Sequence, residues 1–289
     1  MGKLSISVRR KLAQVIVTLL TNANFAGFAK GAIYSGKLKQ ICVPGLNCYS
    51  CPGALGACPL GSLQTMLADP GYKWSFYVVG LLAAFGIVLG RAVCGWLCPF
   101  GFLQELLHAP VKLAGKRLKK LGEALKKFRL PFFFRYTKYI LLVFFVILLP
   151  LLLTDQFGFG APYFCELVCP AGTIEAAVPL LLANPPLRAL SGALFYLKVT
   201  IAVLVAAGAL ASNRFFCKYL CPLGAIYGFF NRIAMIRLSF CGGKCTNCGR
   251  CVKVCVMDID PRSKAHRAEC ICCGKCVRSC EPGALKIGR

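Results

Sequence analysis

The sequence predicts an all-α membrane domain of about four transmembrane helices with a pseudo-twofold internal duplication, followed by a small cysteine-rich α+β module. Three observations lead there. The 289 residues are 57% hydrophobic and only 16% charged, where a soluble domain carries about 25% charged residues, and mean hydropathy is +0.66. Long apolar segments recur through residues 1–236 and stop near Ile236. Cys-Pro-x-Gly occurs four times within that stretch. The apolar content excludes a disordered chain, and 20 cysteines in so apolar a chain do not fit a short secreted disulfide scaffold.

Residues 74–90, 136–153 and 192–211 have the length and composition to cross about 30 Å of hydrocarbon. A weaker segment, Leu12 to Tyr34, contains Asn22 and Asn24 and is expected to be a retained helix. Its rival is a signal peptide led by Arg9, Arg10 and Lys11, but no small-residue cleavage site follows at the right distance. Pro150 falls near the end of its span, where a helix tolerates it. Four crossings put both termini on one side.

The net charge of +25 is unevenly placed. Eleven Lys/Arg lie between Arg91 and Lys138, whereas 36–73 holds only Lys37, Lys39 and Lys73, and 154–191 only Arg188. This is the positive-inside pattern, so the 91–138 loop and the C-terminal region are expected in the cytoplasm. The basic run faces a lipid bilayer rather than nucleic acid.

The four motifs are Cys58-Pro-Leu-Gly61, Cys98-Pro-Phe-Gly101, Cys169-Pro-Ala-Gly172 and Cys221-Pro-Leu-Gly224. One apolar span separates each from the next, so they alternate across the membrane. Arg91-Ala-Val-Cys-Gly-Trp-Leu-Cys-Pro matches Arg214-Phe-Phe-Cys-Lys-Tyr-Leu-Cys-Pro, the mark of a duplication. Three motifs extend to Cys-x3-Cys-Pro, which puts two sulfurs on one face of a helical turn. Two such pairs supply the four thiolates of an iron–sulfur cluster. Cys94, Cys98, Cys217 and Cys221 form a complete inner set. The outer set has Cys58, Cys165 and Cys169, but Ala54 occupies the fourth repeat position. Cys51 is the expected substitute, with Cys48 next; disulfides are the rival on this side.

From residue 237 onward, Cys245-x2-Cys248-x2-Cys251-x3-Cys255 and Cys270-x2-Cys273-x2-Cys276-x3-Cys280 are two copies of the bacterial ferredoxin run. In that pattern the fourth cysteine of each run serves the other cluster. One cluster is therefore expected on Cys245, Cys248, Cys251 and Cys280, and a second on Cys270, Cys273, Cys276 and Cys255. Val256 replaces the usual proline after the first run, and Glu281 precedes Pro282 after the second. Zinc on Cys-x2-Cys pairs is the weaker alternative. The domains are thus 1–236, transmembrane, and 237–289, a cytoplasmic module with two [4Fe–4S] clusters. Four clusters leave Cys42, Cys48, Cys241 and Cys272 over. His108 and His266 are isolated, and no paired acids mark a proton path.

These motifs resemble the membrane-integral polyferredoxins of the NapH/NosR type over residues 74–285, and Cys42-Val-Pro-Gly-Leu-Asn-Cys-Tyr-Ser-Cys-Pro-Gly-Ala-Leu-Gly-Ala-Cys58 resembles a subgroup common in anaerobes. The resemblance implies electron transfer through or along a cell membrane. The donor would be quinol or a cytoplasmic carrier such as ferredoxin or flavodoxin. The extracytoplasmic redox partner would be, for instance, a flavoprotein. The family's extra flavin domain is missing, and Leu194 in Ser191-Gly-Ala-Leu194 stands where a covalent-flavin acceptor would be. The expected function is an electron conduit of four [4Fe–4S] clusters, an oxidoreductase component rather than a self-contained enzyme. The alternatives are a quinol dehydrogenase or metal reductase subunit with bound quinone, suggested by aromatic Trp74, Trp96 and Tyr219, and a redox sensor switched by a Cys42/Cys48 disulfide.

Overall fold

The computed structural model describes residues 6–69, 76–117, 130–156, 159–189, 191–263 and 265–288. Trp74, the centre of the basic run at 118–129 and the side chain of His266 lie outside the described residues. The fold is mostly helical, with one two-stranded sheet. Two helices, Phe132–Leu152 and Ala193–Ala211, are long and apolar enough to cross a membrane, and Phe76–Leu89 and Gly172–Ala183 are shorter apolar helices. The two long helices point large apolar side chains away from the protein, with Phe133 at 76%, Leu152 at 73% and Leu204 at 65% exposure. Contiguous apolar surface of this kind needs an apolar neighbour.

The expected helix over 12–34 is not continuous. A helix runs Ile6–Thr21, and a second, short one runs Phe25–Lys30. The break has a local cause. Asn22 donates its side-chain amide to Thr18 O (3.1 Å) and Asn24 donates to Pro52 O (2.8 Å), so both compete with the helix ladder. Even so, Ile6–Thr21 joins two levels of the protein. Near its start Arg10 reaches Gly95 O (3.1 Å), beside Cys94, and just past its end Asn24 N meets Gly53 O (3.1 Å). Sixteen residues rise about 24 Å.

All Cys-x3-Cys-Pro turns close alike. The amide of the second cysteine donates to the residue before the first: Cys98 N to Val93 O (3.1 Å), Cys169 N to Phe164 O (2.8 Å) and Cys221 N to Phe216 O (2.9 Å). These five-residue turns are wider than α-helical ones and swing the second cysteine out to cap the next helix. Proline then takes the first helical position, where its missing N–H costs nothing, as Pro59 does after Cys58 and Pro222 after Cys221.

The core is formed where these turns meet. The helix Ala193–Ala211 packs along Pro99–Arg117, and Pro222–Phe230 packs on Phe76–Leu89. Phe100 and Phe216, both nearly fully buried, meet edge to face at 5.3 Å. From Arg237 on, β1 (Arg237–Phe240) pairs antiparallel with β2 (Leu285–Gly288), Leu238 opposite Ile287 and Phe240 opposite Leu285. This ribbon closes the cysteine-rich loops against Arg250–Lys253 and Lys275–Arg278.

Candidate iron–sulfur sites

The inner set comes together as the repeat implies. Cys94, Cys98, Cys217 and Cys221 are all buried and within electrostatic reach of one another. Backbone amides point at their sulfurs: Gly101 N to Cys98 Sγ (3.4 Å) and Gly224 N to Cys221 Sγ (3.3 Å). Gln104 donates to Cys217 Sγ (3.2 Å) while its Oε1 accepts from Phe216 N (2.9 Å), which ties the first half of the duplication to the second.

The outer set repeats that arrangement. Gln64 donates to Cys165 Sγ (3.2 Å), and its Oε1 accepts from Phe164 N (2.9 Å). Gln64 and Gln104 stand six residues after Cys58 and Cys98, a correspondence that the sequence shows but that cysteine spacing does not single out. Gln104→Leu should cost about 1–3 kcal/mol, because Phe216 N is left buried without an acceptor; a parent-like thermal midpoint in detergent would show that the crossbar is idle.

At the fourth outer position, the expected Cys51 directs its Sγ to Asn22 Oδ1 (3.9 Å). The sulfur of Cys48, the next candidate, lies 3.7 Å from where a Cβ on Gly172 would be, within electrostatic reach of Cys169 and Cys58. Cys48 is held from outside its own loop, its amide donating to Glu175 Oε2 (2.8 Å). Cys42 donates to Ser62 Oγ (3.3 Å). Cys42, Cys48, Cys58, Cys165 and Cys169 line an open cavity of about 1060 Å³ that also takes in Tyr77, Glu166 and Lys198.

The segment that carries Cys48 packs against the inner set. A Cβ on Gly45 would sit 2.8 Å from Cys98 Cα, and only three residues lead from Gly45 to Cys48, a reach of at most about 11 Å. Buried Tyr227 donates to Pro44 O (2.9 Å) in this same connecting segment. Motif order along a sequence carries no distances, so this proximity was not readable from it.

In the C-terminal segment, Cys245, Cys248, Cys251 and Cys280 line one cavity and Cys255, Cys270, Cys273 and Cys276 another. Cys248 is exposed, whereas Cys273 and Cys276 are buried. The second group lies against the inner set. Ile271 O would be 2.2 Å from a Cβ on Gly95, and Trp96 donates its indole N–H to Cys272 O (3.1 Å). Cys272 is buried with a φ of 49°, and Cys241 is exposed. Asn231 clasps the approach from the side, donating to Arg267 O (2.7 Å) and Cys270 O (3.0 Å). Glu269 anchors it, paired with Arg91 and with Lys138. Burial alone would raise the Glu269 carboxyl, but Arg91 and Lys138 outweigh it and hold the group at about 2.

The donor chemistry fits iron–sulfur cores. Burial pushes the Cys165 thiol up to about 12 and Cys255 to about 11, with neighbouring cysteines adding to the shift. Such thiols stay protonated and inert on their own, and only bound metal would draw four of them into the thiolate form. Among the described residues no three Cys, His, Asp or Glu converge on a single-ion position. His108 contacts Leu210 O (3.0 Å).

Thiols gathered in fours by apolar helices define an iron–sulfur protein of the ferredoxin kind. The chain belongs to the polyferredoxin-type family of 4Fe–4S binding membrane proteins. The family described as "4Fe-4S binding domain" matches residues 70–120 and 194–242, the two halves of the duplication. An uncharacterized protein of Methanocaldococcus jannaschii is 32% identical over 203 residues, 70% of this chain and 73% of its own. Protein NirI of Paracoccus denitrificans is 33% identical over 72% of this chain and 27% of its own length. The putative electron transport protein YccM of Escherichia coli is 31% identical over 69% of this chain and 52% of its own. No solved structure matches.

Proposed function

We propose that this chain conducts single electrons across a cell membrane, between a cytoplasmic carrier and a redox partner on the outer face. Cys245, Cys248, Cys251 and Cys280 would hold the entry cluster, and Cys255, Cys270, Cys273 and Cys276 the second. Cys94, Cys98, Cys217 and Cys221 would hold the third, and Cys48, Cys58, Cys165 and Cys169 the fourth. A [4Fe–4S] core held by four thiolates supplies reversible one-electron storage. The protein's part is to space these sites, to keep water from them and to set their surroundings. In this reading residues 1–236 form the duplicated membrane domain, and 237–289 the cytoplasmic module.

Its strongest support is that consecutive sites abut through backbone. Ile271, between Cys270 and Cys273, rests on Gly95, between Cys94 and Cys98; Gly45, three residues before Cys48, rests on Cys98. The exposed Cys248 edge, with exposed Lys244, Arg250 and Lys253 around it, suits an acidic carrier such as ferredoxin or flavodoxin. The test uses holoprotein with about sixteen irons in vesicles that enclose ferricyanide, with dithionite added outside. Enclosed ferricyanide should be reduced only when protein is present. Fully loaded protein that leaves it oxidised would end the conduit reading, as would a preparation with only about eight irons.

The cavity beside the outer cysteines favours a second reading, a quinol dehydrogenase or metal reductase subunit. Quinol added to the same vesicles would then reduce the clusters. Failure with quinol while dithionite still works would remove it.

A further inference from the structure

We infer that Arg91 and Arg214 are positioning residues that set the reduction potential of the inner four-cysteine site above that of the outer one. This rests on reading both sites as [4Fe–4S] ligand sets.

The two arginines occupy equivalent places in the duplication, three residues before Cys94 and Cys217. Each serves the other half. Arg91 donates to Cys217 O (2.8 Å), and Arg214 donates to Cys94 O. Both are fully buried. Arg214 holds a left-handed backbone, φ 57°, a conformation a non-glycine residue keeps only when its surroundings over-determine it. Here those surroundings are Cys94 O and Glu105, to which its Nε donates at 2.8 Å.

The charge gathered around the inner cysteines is positive. Arg214 shares Glu105 with Arg10, and Arg91 shares Glu269 with Lys138 and, at 4.0 Å, with Arg135. Lys218, between Cys217 and Cys221, pairs with Asp258 (2.5 Å), so six cations face three carboxylates. At the outer cysteines Lys198 reaches Cys165 O (3.3 Å), Lys39 reaches Ala54 O (2.7 Å), and Glu175 faces Cys48. Two half-buried ammoniums there face the half-buried Glu175 and the exposed Glu166 beside Cys165.

One-electron reduction takes a [4Fe–4S]²⁺ core to the 1+ state and its four-thiolate complex from about −2 to −3. Fixed positive charge in a medium of low dielectric favours the more negative state. The inner site should therefore accept an electron more readily than its otherwise matching outer counterpart.

The test is a redox titration of the full-length holoprotein in detergent, followed by electron paramagnetic resonance, with dithionite supplying the electrons. The inner signal is the one missing in Cys94→Ser, and the outer signal the one missing in Cys58→Ser. The inner signal should appear at the higher potential. In Arg214→Gln, at the parent's inner midpoint, the ratio of reduced to oxidised inner cluster should fall at least tenfold, a shift of about 59 mV for one electron. The outer signal should not move, and Arg214→Lys should recover most of the shift. Glu105→Gln should raise the inner midpoint. An inner signal at or below the outer one, or fully loaded Arg214→Gln with the parent's midpoint, overturns the inference. Should Arg214→Gln lose the inner signal, an unchanged or lowered midpoint in Glu105→Gln overturns it. If Cys94→Ser and Cys58→Ser remove no signal, the ligand assignment has failed rather than the role of the charges.

Discussion

Replacing Cys48 by Ser should remove about four of about sixteen irons, whereas Cys51→Ser should leave the iron content unchanged. The two cysteines are three residues apart in one loop, so composition and local flexibility are nearly the same for both. Only direction differs: Cys48 faces the cysteines of the second half, and Cys51 faces Asn22. Iron and acid-labile sulfide on purified protein read the result directly. Loss in Cys51→Ser with full loading in Cys48→Ser would mean that the loop turns the other way in the loaded protein.

Gly95→Ala should loosen the C-terminal segment from the rest of the chain without emptying any site. The added methyl would lie 2.2 Å from Ile271 O, a backbone atom that cannot swing aside. Overpacking of this kind costs about 1–3 kcal/mol, which corresponds to a roughly 5- to 150-fold weaker docking equilibrium. Amide exchange over 267–274 should quicken, and electron exchange between the Cys270 and Cys94 sites should slow, with iron content held. Parent-like exchange rates at those amides would show that the contact is not what holds the segment.

The grouping of the cysteines after residue 237 was legible because each run places three of them within seven residues, so spacing alone carries the geometry. The inner set was legible because duplication repeats the pair Cys94/Cys98 as Cys217/Cys221. Cys48 was not, since its position depends on Glu175, 127 residues away. Nor was the break after Thr21: hydropathy counts Asn22 and Asn24 as tolerable polar residues and cannot see that Pro52 O waits for one of them. The arginines stood in the matching nonapeptides from the start, but nothing in one dimension says that each reaches across to the other half.

The crossbars of Gln64 and Gln104 have a consequence for how the protein is made. The pairs along the chain alternate, outer then inner then outer then inner, so the first half carries two incomplete sites and no whole one. A nascent chain that has emerged only as far as Arg135 presents Cys48, Cys58, Cys94 and Cys98 with neither crossbar anchored, because Phe164 and Phe216 are not yet made. The outer site becomes complete once Cys169 has emerged, and the inner one only with Cys221. On the ligand sets proposed above, iron delivery to these sites would follow translation of most of the polypeptide, and a chain truncated between Cys169 and Cys217 would have one site to load and the other permanently half built.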